Sequence, residues 1–300
     1  MLARRSAVGI EVQAPAKINL FLEVLARRAD GFHEMETVIA PISLYDTLVM
    51  RDVRPVASGS AAITLQVQIA AGLRQAIPGG GENLAVQAAE LLRRRAGFGG
   101  GLAIRLIKRI PAGSGLGGGS SDAAAVLVGA NICWRLGWSR AELMELGAEL
   151  GSDVPFFLAG TAAICRGRGE QVQPLGPLGS GDVVIVQPED RLSTAEVYRR
   201  CQPAATPRHA EDLLGVLGQE PISTAGRYLH NRLQPVAASL SPSVAKMQYE
   251  FERLGFPAHQ MTGSGSAYFG ICRHARQARR LAQILRGRLS GSVYQVRLAC

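Results

Sequence analysis

Lysine is scarce in this sequence, although basic residues are not. Only three of the 33 basic residues are lysines, at positions 17, 108 and 246, so arginine supplies nearly every positive charge. A lysine ammonium is a compact charge with an adjustable pKa. Arginine cannot replace it in a point contact to phosphate or in proton chemistry. Lys17, Lys108 and Lys246 are therefore worth inspecting as functional residues.

Cysteine is also sparse, and its pattern excludes two kinds of site. The five cysteines are odd in number and far apart, with no Cys-x-x-Cys pair and no Cys/His cluster. Neither a disulfide framework nor a zinc site is indicated, and a cytoplasmic location is expected. No apolar run reaches the ~18 residues of a membrane-spanning helix. Glu11 interrupts the first apolar run too early for a signal peptide, so we expect no membrane partner.

The charge is ordinary in amount but uneven in position. With 19% charged residues, 47% apolar residues and a net charge of +9, the chain is typical of a folded globular protein.

Seven arginines and no acidic residue occur from Arg273 onward. Such a cluster binds nucleic acid or membranes in some proteins. The pattern favours a solvated helix face instead, because no aromatic residues alternate with the arginines. We therefore expect no nucleic-acid partner. The apolar stripe of this helix is Ala275, Ala278, Ala282 and Leu285.

The order of predicted elements indicates an α+β fold with two lobes. Strands dominate the first third, and helices are inserted among strands afterwards without strict alternation. Ser139 and Glu142 form a capping box ahead of one helix. A Gly- and Pro-rich segment at 174–181 separates predicted domains 1–173 and 174–300. The other predicted helices span about 83–96, 120–136, 194–200, 208–217, 227–233, 242–254 and 274–286. The predicted strands span about 17–25, 36–42, 45–51, 61–70, 101–108, 161–165, 182–187, 266–272 and 292–298.

The strongest local signal is a glycine-dense loop, Pro111–Asp122, between a predicted strand and a helix of small residues. Glycine lets the backbone take positive φ and approach a ligand closely. The N–H groups and positive end of the following helix favour a bound anion. No Lys-Ser/Thr pair follows the last glycine, which excludes a Walker A loop, and the predicted helix at 131–142 argues against a Rossmann loop. A flexible loop remains the structural alternative.

Two further segments have both a structural and a functional interpretation. Thr262–Ala267 is a second glycine loop, which predicts either a tight hairpin or a second backbone segment around a triphosphate. Asp153, in the segment Gly151–Pro155, is either a helix N-cap or a functional carboxylate. Taken alone, neither segment distinguishes its structural interpretation from its functional interpretation.

Three segments together resemble the three motifs of the GHMP small-molecule kinases. They are Pro15–Leu20, Pro111–Ser121 and Thr262–Ala267, and the resemblance runs from about residue 12 to the C-terminus. The three motifs together are specific for this family, although no single motif is specific by itself. The resemblance implies an ATP-dependent enzyme with a two-lobed α+β fold. Its N-terminal lobe would resemble a ribosomal-protein fold, and its C-terminal lobe would be an α/β sandwich. Both a monomer and a homodimer are compatible with it.

Four segments resemble one branch of that family: APAKINLFLEV, RRADGFHEMETV, GSDVPFF and STAEVY. This implies that ATP phosphorylates a hydroxyl of the methylerythritol unit of a small CDP-linked substrate, in non-mevalonate isoprenoid biosynthesis. The alternatives are another GHMP kinase, acting on homoserine or mevalonate, and a basic RNA-binding protein. The GFHEMET segment argues against the first. An RNA-binding protein has no need of Lys17, Asp153 and two phosphate loops together.

The resemblance also implies roles for individual residues. Asp153 matches the catalytic aspartate, which accepts or orients the proton of the attacking hydroxyl. Lys17 matches the lysine that keeps this carboxylate ionised. Asn83 and Lys108 match positions that line the adenosine pocket. Mg²⁺ is expected to be held mainly by ATP and water, with Ser121 as the candidate protein contact. The positions expected around the phosphates are Pro111, Gly113, Ser114, Gly115, Leu116, Gly117, Gly118, Gly119, Ser120 and Ser121.

The substrate end is expected to be aromatic and polar. Phe32 and Tyr198 match the positions that sandwich the cytosine base, and His33 matches the position that binds its edge. Phe32 departs from the common pattern, in which tyrosine occurs there, so stacking is retained and a phenolic hydrogen bond is lost. Asn19 is expected on the same side of its strand as Lys17. The expected substrate-binding residues are Asn19, Phe32, His33, Asp153, Tyr198, Gly263 and Ser264.

Overall fold

A computed structural model describes residues 1–54, 62–73, 76–217 and 221–299. The chain divides into two compact units, each built from segments distant in sequence. Because neither unit is one continuous stretch, the predicted division between residues 173 and 174 stays a prediction. Unit 1 comprises Met1–Ala16, Leu44–Ala112 and Gly117–Gly160, and unit 2 comprises Lys17–Ser43, Gly113–Leu116 and Thr161–Cys300.

The described strands of unit 1 form a sheet, and two of them continue into unit 2. They are β1 (Leu2–Ser6), β2 (Gly9–Arg27), β3 (His33–Val53), β4 (Ile63–Ile69) and β5 (Gly101–Lys108). In unit 1, β1 pairs antiparallel with the start of β2, and β5 pairs antiparallel with the end of β3 and parallel with β4. Leu102, Ile104 and Leu106 alternate with more exposed residues, as expected for a strand with one buried face.

Helices of unit 1 pack on one another through small and apolar side chains. They are α1 (Leu84–Arg95), α2 (Gly118–Trp134), α3 (Arg140–Leu150) and α4 (Val154–Ala159). Ala123, Ala124 and Ala125 of α2 are fully buried. The capping box of α3 is confirmed, because Ser139 Oγ accepts from the Glu142 amide and the Glu142 carboxylate accepts from the Ser139 amide.

Unit 2 contains a four-stranded antiparallel sheet in the order β10–β11–β8–β12, and two smaller pairings. Its strands are β6 (Ala162–Arg166), β7 (Gln171–Gly176), β8 (Asp182–Gln187), β9 (His230–Asn231), β10 (Ala258–Met261), β11 (Tyr268–Cys272) and β12 (Ser292–Arg297). β6 pairs antiparallel with β7 and with the start of β3, while β9 pairs parallel with β2 at Phe21 and Leu22.

Helices of unit 2 bury apolar stripes and expose polar faces. They are α5 (Thr194–Arg200), α6 (Glu211–Leu214), α7 (Gln234–Leu240), α8 (Pro242–Arg253) and α9 (Ala275–Arg288), with a 3₁₀ turn at Ile222–Tyr228. α9 buries Ala278, Leu281, Ala282 and Leu285 and exposes Arg276, Arg279, Arg280 and Arg286. The predicted amphipathic pattern of this helix is therefore confirmed, and the absence of a partner for its arginines stays a prediction. Within the described ranges, no helix is both long and apolar enough to cross a bilayer.

The α+β fold class is confirmed, and most predicted elements are present. The predicted helix at 227–233 is wrong, because β9 occupies part of it and the Asn231 side chain bonds to carbonyls of Met261 and Gly263. Tertiary contacts thus override a local helical pattern. The predicted helix at 208–217 is reduced to α6. β1, β7 and β10 lie where no strand is predicted, and the first residue of the predicted strand 61–70 lies outside the described residues.

None of the described cysteines forms a disulfide. Cys165, Cys201 and Cys272 are buried, and Cys133 is half-buried. Burial raises the pKa of the Cys133 thiol to about 11 and that of Cys272 to about 12.

The aromatic core of unit 2 supplies a stability prediction. The Phe251 ring stacks on Phe256 with centroids 4.5 Å apart and meets Tyr268 edge-on at 5.0 Å. We expect Phe251→Ala to lower the free energy of unfolding by about 3–5 kcal/mol in urea denaturation, because it removes packed rings and leaves a cavity. Tyr249→Ala, on the same helix but 60% exposed, should cost only about 0.5 kcal/mol. Equal losses would contradict this account of the core.

Candidate active site

The first motif places an ammonium group and an amide on one face of β2, in unit 2. Lys17 and Asn19 are both 3% exposed. Lys17 Nζ donates to Asn19 Oδ1 at 2.5 Å, which confirms that the two side chains share one side of the strand. Asn19 Nδ2 donates to Thr37 Oγ1 at 2.9 Å, and that hydroxyl donates to the carbonyl of Phe21 at 2.6 Å. This chain of bonds fixes the ammonium group in one orientation.

The third motif contacts both the first motif and the glycine loop within unit 2. The Asn19 amide donates to Thr262 Oγ1 at 3.0 Å, and Thr262 Oγ1 donates to Asn19 Oδ1 at 3.1 Å. The amide of Ala267 donates to the carbonyl of Ser114 at 3.0 Å. Ser264 Oγ lies 2.8 Å from Thr194 Oγ1, at the start of α5. Residues from three predicted motifs are therefore assembled by direct hydrogen bonds.

Two glycines allow this close approach of backbones. Gly115 has φ +78°, and a Cβ there would lie 2.2 Å from the carbonyl oxygen of Thr262. Gly263 has φ +57°, and a Cβ there would lie 3.3 Å from both the Gly115 oxygen and Lys17 Nζ. A side chain at either position would strain the backbone and crowd the ammonium group. A steric requirement thus explains Gly115 and Gly263, whereas a Cβ at Gly113 would meet nothing within 4 Å.

The predicted base-binding residues lie in a second part of unit 2. The His33 and Tyr198 rings are 5.3 Å apart between centroids, and Phe32 is 52% exposed. His33 Nε2 is buried and has no hydrogen-bond partner among the described residues. Burial, together with the nearby charge of Arg27, lowers the pKa of His33, so the imidazole is neutral at pH 7. A neutral imidazole with one unused buried nitrogen is suited to reading the edge of a base.

Two buried amides that the sequence analysis missed hold the third motif in place. Asn231 Nδ2 donates to the carbonyls of Met261 and Gly263, at 2.8 and 2.9 Å. Gln260 Nε2 donates to the carbonyl of Asn19 at 2.8 Å. The sequence gives little indication that these two amides are buried. The one available sign is a polar residue within an otherwise apolar segment.

A buried carboxylate, Glu23, anchors the segment that carries Asn231 to β2. It is fully buried and accepts from Arg232 Nε at 2.6 Å, from the Arg208 amide at 3.0 Å and from His230 Nε2 at 3.1 Å. Burial alone would raise the pKa of Glu23, but the hydrogen bonds from Arg232 and the backbone outweigh it and lower the pKa to about 2. The carboxylate is therefore ionised throughout the physiological range.

In unit 1, the glycine loop leads directly into α2. Gly117, with φ +72°, precedes the helix, and its carbonyl accepts from the Ser121 amide at 2.9 Å. Ser121 Oγ is buried and has no hydrogen-bond partner among the described residues, while Ser120 is half-buried and Gly119 is exposed. The Ser121 hydroxyl and the N–H groups of the first helical turn can donate hydrogen bonds to phosphate oxygens. The hydroxyl oxygen is also the kind of ligand that a hard cation takes.

Lys108 lies below the start of this helix, between two carboxylates. Its Nζ donates to Asp46 Oδ2 at 2.5 Å and to Asp122 Oδ2 at 2.6 Å, and all three side chains are under 5% exposed. Burial would lower the pKa of Lys108, but the two carboxylates outweigh it and raise the pKa. Burial raises the pKa of Asp122, and the neighbouring Lys108 ammonium opposes this shift. A nucleotide contact of Lys108 stays a prediction, and its ammonium already has these two partners.

Asp153 and Asn83 occupy helix starts in unit 1 but differ in what their side chains do. Asp153 precedes α4 and is half-buried, and its carboxylate makes no capping hydrogen bond. Asp153 therefore occupies the N-cap position of α4, as its structural interpretation predicts, but its side chain does not cap the helix. Asn83 does cap α1, because its Oδ1 accepts from the Ala85 amide at 2.9 Å. Since Asp153 belongs to unit 1 and Lys17 to unit 2, their pairing stays a prediction.

One group of side chains among the described residues has the spacing of a metal site, namely Glu36, His209 and Glu211. Glu36 is already engaged, because it accepts from Arg166 Nε and from the Ala210 amide, both at 2.8 Å. Because Arg166 already balances the negative charge of Glu36, this group does not need a metal cation for charge compensation.

The comparisons with known proteins agree with this arrangement of motifs. Family models described as the GHMP kinases N terminal domain and GHMP kinases C terminal match residues 83–161 and 214–291. Over 275 residues, the chain is 42% identical to the 4-diphosphocytidyl-2-C-methyl-D-erythritol kinase of Pelotomaculum thermopropionicum, covering 91% of this chain and 92% of that protein. This chain belongs to the GHMP kinase family. It is an ATP-dependent small-molecule kinase.

Solved structures place the kinase in the same fold. A crystal structure of 4-(cytidine 5'-diphospho)-2C-methyl-D-erythritol kinase is 38% identical, with a TM-score of 0.79 and coverage of 97% of this chain and 99% of that one. The L. major mevalonate kinase, solved with R-mevalonate, has a TM-score of 0.70 at 14% identity, covering 99% and 98% of the two chains. The second likeness shows the fold alone.

The backbone contact between the glycine loop and the third motif of the kinase gives a prediction. We expect Gly115→Ala to be less stable than Gly113→Ala by about 1–3 kcal/mol, because only the former drives a Cβ into the Thr262 carbonyl. Both glycines have positive φ, so placing alanine in a left-handed backbone conformation costs a similar free energy at the two positions. A Cβ at Gly113 would meet nothing within 4 Å. Urea unfolding measures the difference, and ATP titration of the folded variants measures binding. Indistinguishable variants would refute the steric argument.

Proposed function

We propose that this kinase transfers the γ-phosphoryl group of ATP to a hydroxyl of 4-diphosphocytidyl-2-C-methyl-D-erythritol, giving the 2-phosphate, in non-mevalonate isoprenoid precursor synthesis. The observation that carries the choice of substrate is the group of Phe32, His33 and Tyr198 in unit 2, with an unused buried nitrogen on a neutral imidazole. A substrate without a base, such as homoserine or mevalonate, gives these rings no role. The identity of 42% with a kinase named for the cytidine-linked substrate supports the same choice.

ATP binds at the glycine loop in this proposal. Its phosphates lie along residues Gly113–Ser121, where backbone N–H groups and the positive end of α2 stabilise negative charge. Gly115 and Gly263 fit this role, because the space a Cβ would fill is needed for the backbone approach. Asn83 and Lys108 line the adenosine end.

Catalysis in this proposal rests on Lys17 and Asp153. Asp153 accepts or orients the proton of the substrate hydroxyl as the oxygen attacks the γ-phosphorus, and ADP leaves. The fixed Lys17 ammonium keeps that carboxylate ionised and stabilises charge on the transferred group. Asn19, Gly263 and Ser264 position the acceptor.

Mg²⁺ is the metal we propose for the phosphates. The buried Ser121 hydroxyl has no hydrogen-bond partner among the described residues, and its oxygen is the kind of ligand that a hard cation takes. When bound, it neutralises part of the negative charge on the phosphates. ATP and water supply its other ligands.

We further propose that the kinase works in the cytoplasm as a monomer or homodimer, without nucleic-acid or membrane partners. Its ATP-binding lobe corresponds to residues 1–173 and its second lobe to residues 174–300.

Turnover of the cytidine-linked substrate with ATP and Mg²⁺, followed by ADP release, tests the proposed function. We expect Asp153→Asn to lower kcat by about 10²- to 10⁴-fold, the usual contribution of acid–base catalysis, and Lys17→Met to cause a comparable loss. The exposed residues Asp212 and Lys246 supply matched controls, Asp212→Asn and Lys246→Met, which should retain wild-type rates. No ADP above background from folded wild-type protein would exclude the proposal, and full activity of Asp153→Asn would remove its catalytic role.

A second test concerns the base. His33→Ala should raise KM for the cytidine-linked substrate about tenfold, as expected for one lost hydrogen bond to a ligand, and should leave KM for ATP unchanged. His209→Ala, at an exposed histidine of the same unit, serves as the control. An equal rise in both KM values would indicate a general structural defect rather than base recognition.

A further inference from the structure

The segment that carries Phe32 and His33 contacts a turn that the sequence analysis did not single out. This turn joins β6 to β7 and contains Gly167 and Arg168. The Met35 amide donates to the Gly167 carbonyl at 2.8 Å, so the turn is fixed to β3 directly beside the candidate base site. The guanidinium carbon of Arg168 lies over the Phe32 ring, 5.0 Å from its centroid.

The backbone that presents the Phe32 ring is itself held in place. The Phe32 amide donates to Asp30 Oδ1 at 3.0 Å, and the Arg28 amide donates to the Phe32 carbonyl at 2.9 Å. The Arg28 guanidinium pairs with Asp30 at 3.1 Å and with Glu34 at 2.6 Å. A half-exposed ring on a fixed backbone therefore has mainly its side-chain torsions left free.

Arg168 is also oriented by its own turn. Its amide donates to Glu170 Oε2 at 2.7 Å, and the same oxygen lies 3.8 Å from its Nε. The guanidinium group is thus directed by one carboxylate and by the Phe32 ring. A cation over an aromatic face is attracted by the ring quadrupole, which restrains the ring.

We propose that Arg168 is a specificity-determining residue for the cytidine end of the substrate, because it holds the Phe32 ring in position as the stacking surface for the base. Phe32 has no hydroxyl to fix its ring through a hydrogen bond, and the guanidinium group supplies the restraint instead. The inference rests on the proposed function. Arg168 acts through Phe32 and has no role at the reacting atoms, so it is a positioning residue.

The test is a steady-state comparison of Arg168→Met with wild-type protein. We expect KM for the cytidine-linked substrate to rise about two- to fivefold, the usual size of a cation–π contact, with kcat and KM for ATP unchanged. Arg168→Lys retains a cation and should restore part of the loss. Arg276→Met, at an exposed arginine of α9, is the matched control and should behave as wild type.

A double variant separates action through Phe32 from direct contact with the substrate. In a Phe32→Leu background, Arg168→Met should have no further effect on KM for the cytidine-linked substrate. The same rise in both backgrounds would overturn the inference, since it would mean that Arg168 binds the substrate itself. An unchanged KM in Arg168→Met would overturn it as well.

Binding of cytidine 5'-diphosphate by calorimetry, with the full chain, gives a readout independent of turnover. We expect the dissociation constant to rise about two- to fivefold in Arg168→Met, with the unfolding temperature unchanged. Wild-type protein that binds this nucleotide but does not turn over the cytidine-linked substrate would contradict the proposed function, while the Arg168 comparison would still stand. Equal affinity of the two proteins would contradict only the Arg168 inference.

Discussion

Asn19 is the residue on which the assembled motifs of unit 2 depend. Its side-chain oxygen accepts from Lys17 and Thr262, its side-chain nitrogen donates to Thr37, and its backbone carbonyl accepts from Gln260. These partners come from segments up to 243 residues apart in sequence. A buried amide stabilises a structure only when its partners are all present, and losing it would leave several buried groups unsatisfied at once. One small side chain therefore fixes a cation and a glycine turn relative to each other.

Charge balance imposes a comparable constraint on unit 1. One ammonium group, Lys108, faces two buried carboxylates, and Asp46 also accepts from the backbone amides of Arg109 and Ile110. Two buried negative charges with a single cation would leave an uncompensated charge, which is costly in a dry interior. Lys108 bonds to both carboxylates and two backbone amides bond to Asp46, which offsets part of that cost. The end of β5 and the start of α2 are thus held together by one ammonium group between two carboxyl groups, next to the helix terminus that is proposed to receive phosphate.

Local sequence patterns predicted the parts of the site that depend on local rules. Strand alternation placed Lys17 and Asn19 on one side of β2, and glycine density marked a loop that leads into a helix. Contacts between distant segments had no such signal. Nothing near Lys108 in the sequence indicates Asp46, 62 residues earlier. The helical pattern at 227–233 likewise fails because Asn231 bonds to the third motif. The tertiary fold decides which buried polar groups contact one another. Local propensity contains no information about such contacts.

The buried thiols have a consequence for the durability of this kinase. The thiolate, rather than the thiol, reacts with peroxides and electrophiles, and the raised pKa values of Cys133 and Cys272 leave almost none of either residue in that form at neutral pH. Cys201 has a raised pKa for the same reason, its burial. The site described above is built from ammonium, carboxylate, hydroxyl, amide and imidazole groups. We therefore expect Cys133, Cys201 and Cys272 to react slowly with thiol-directed oxidants at neutral pH.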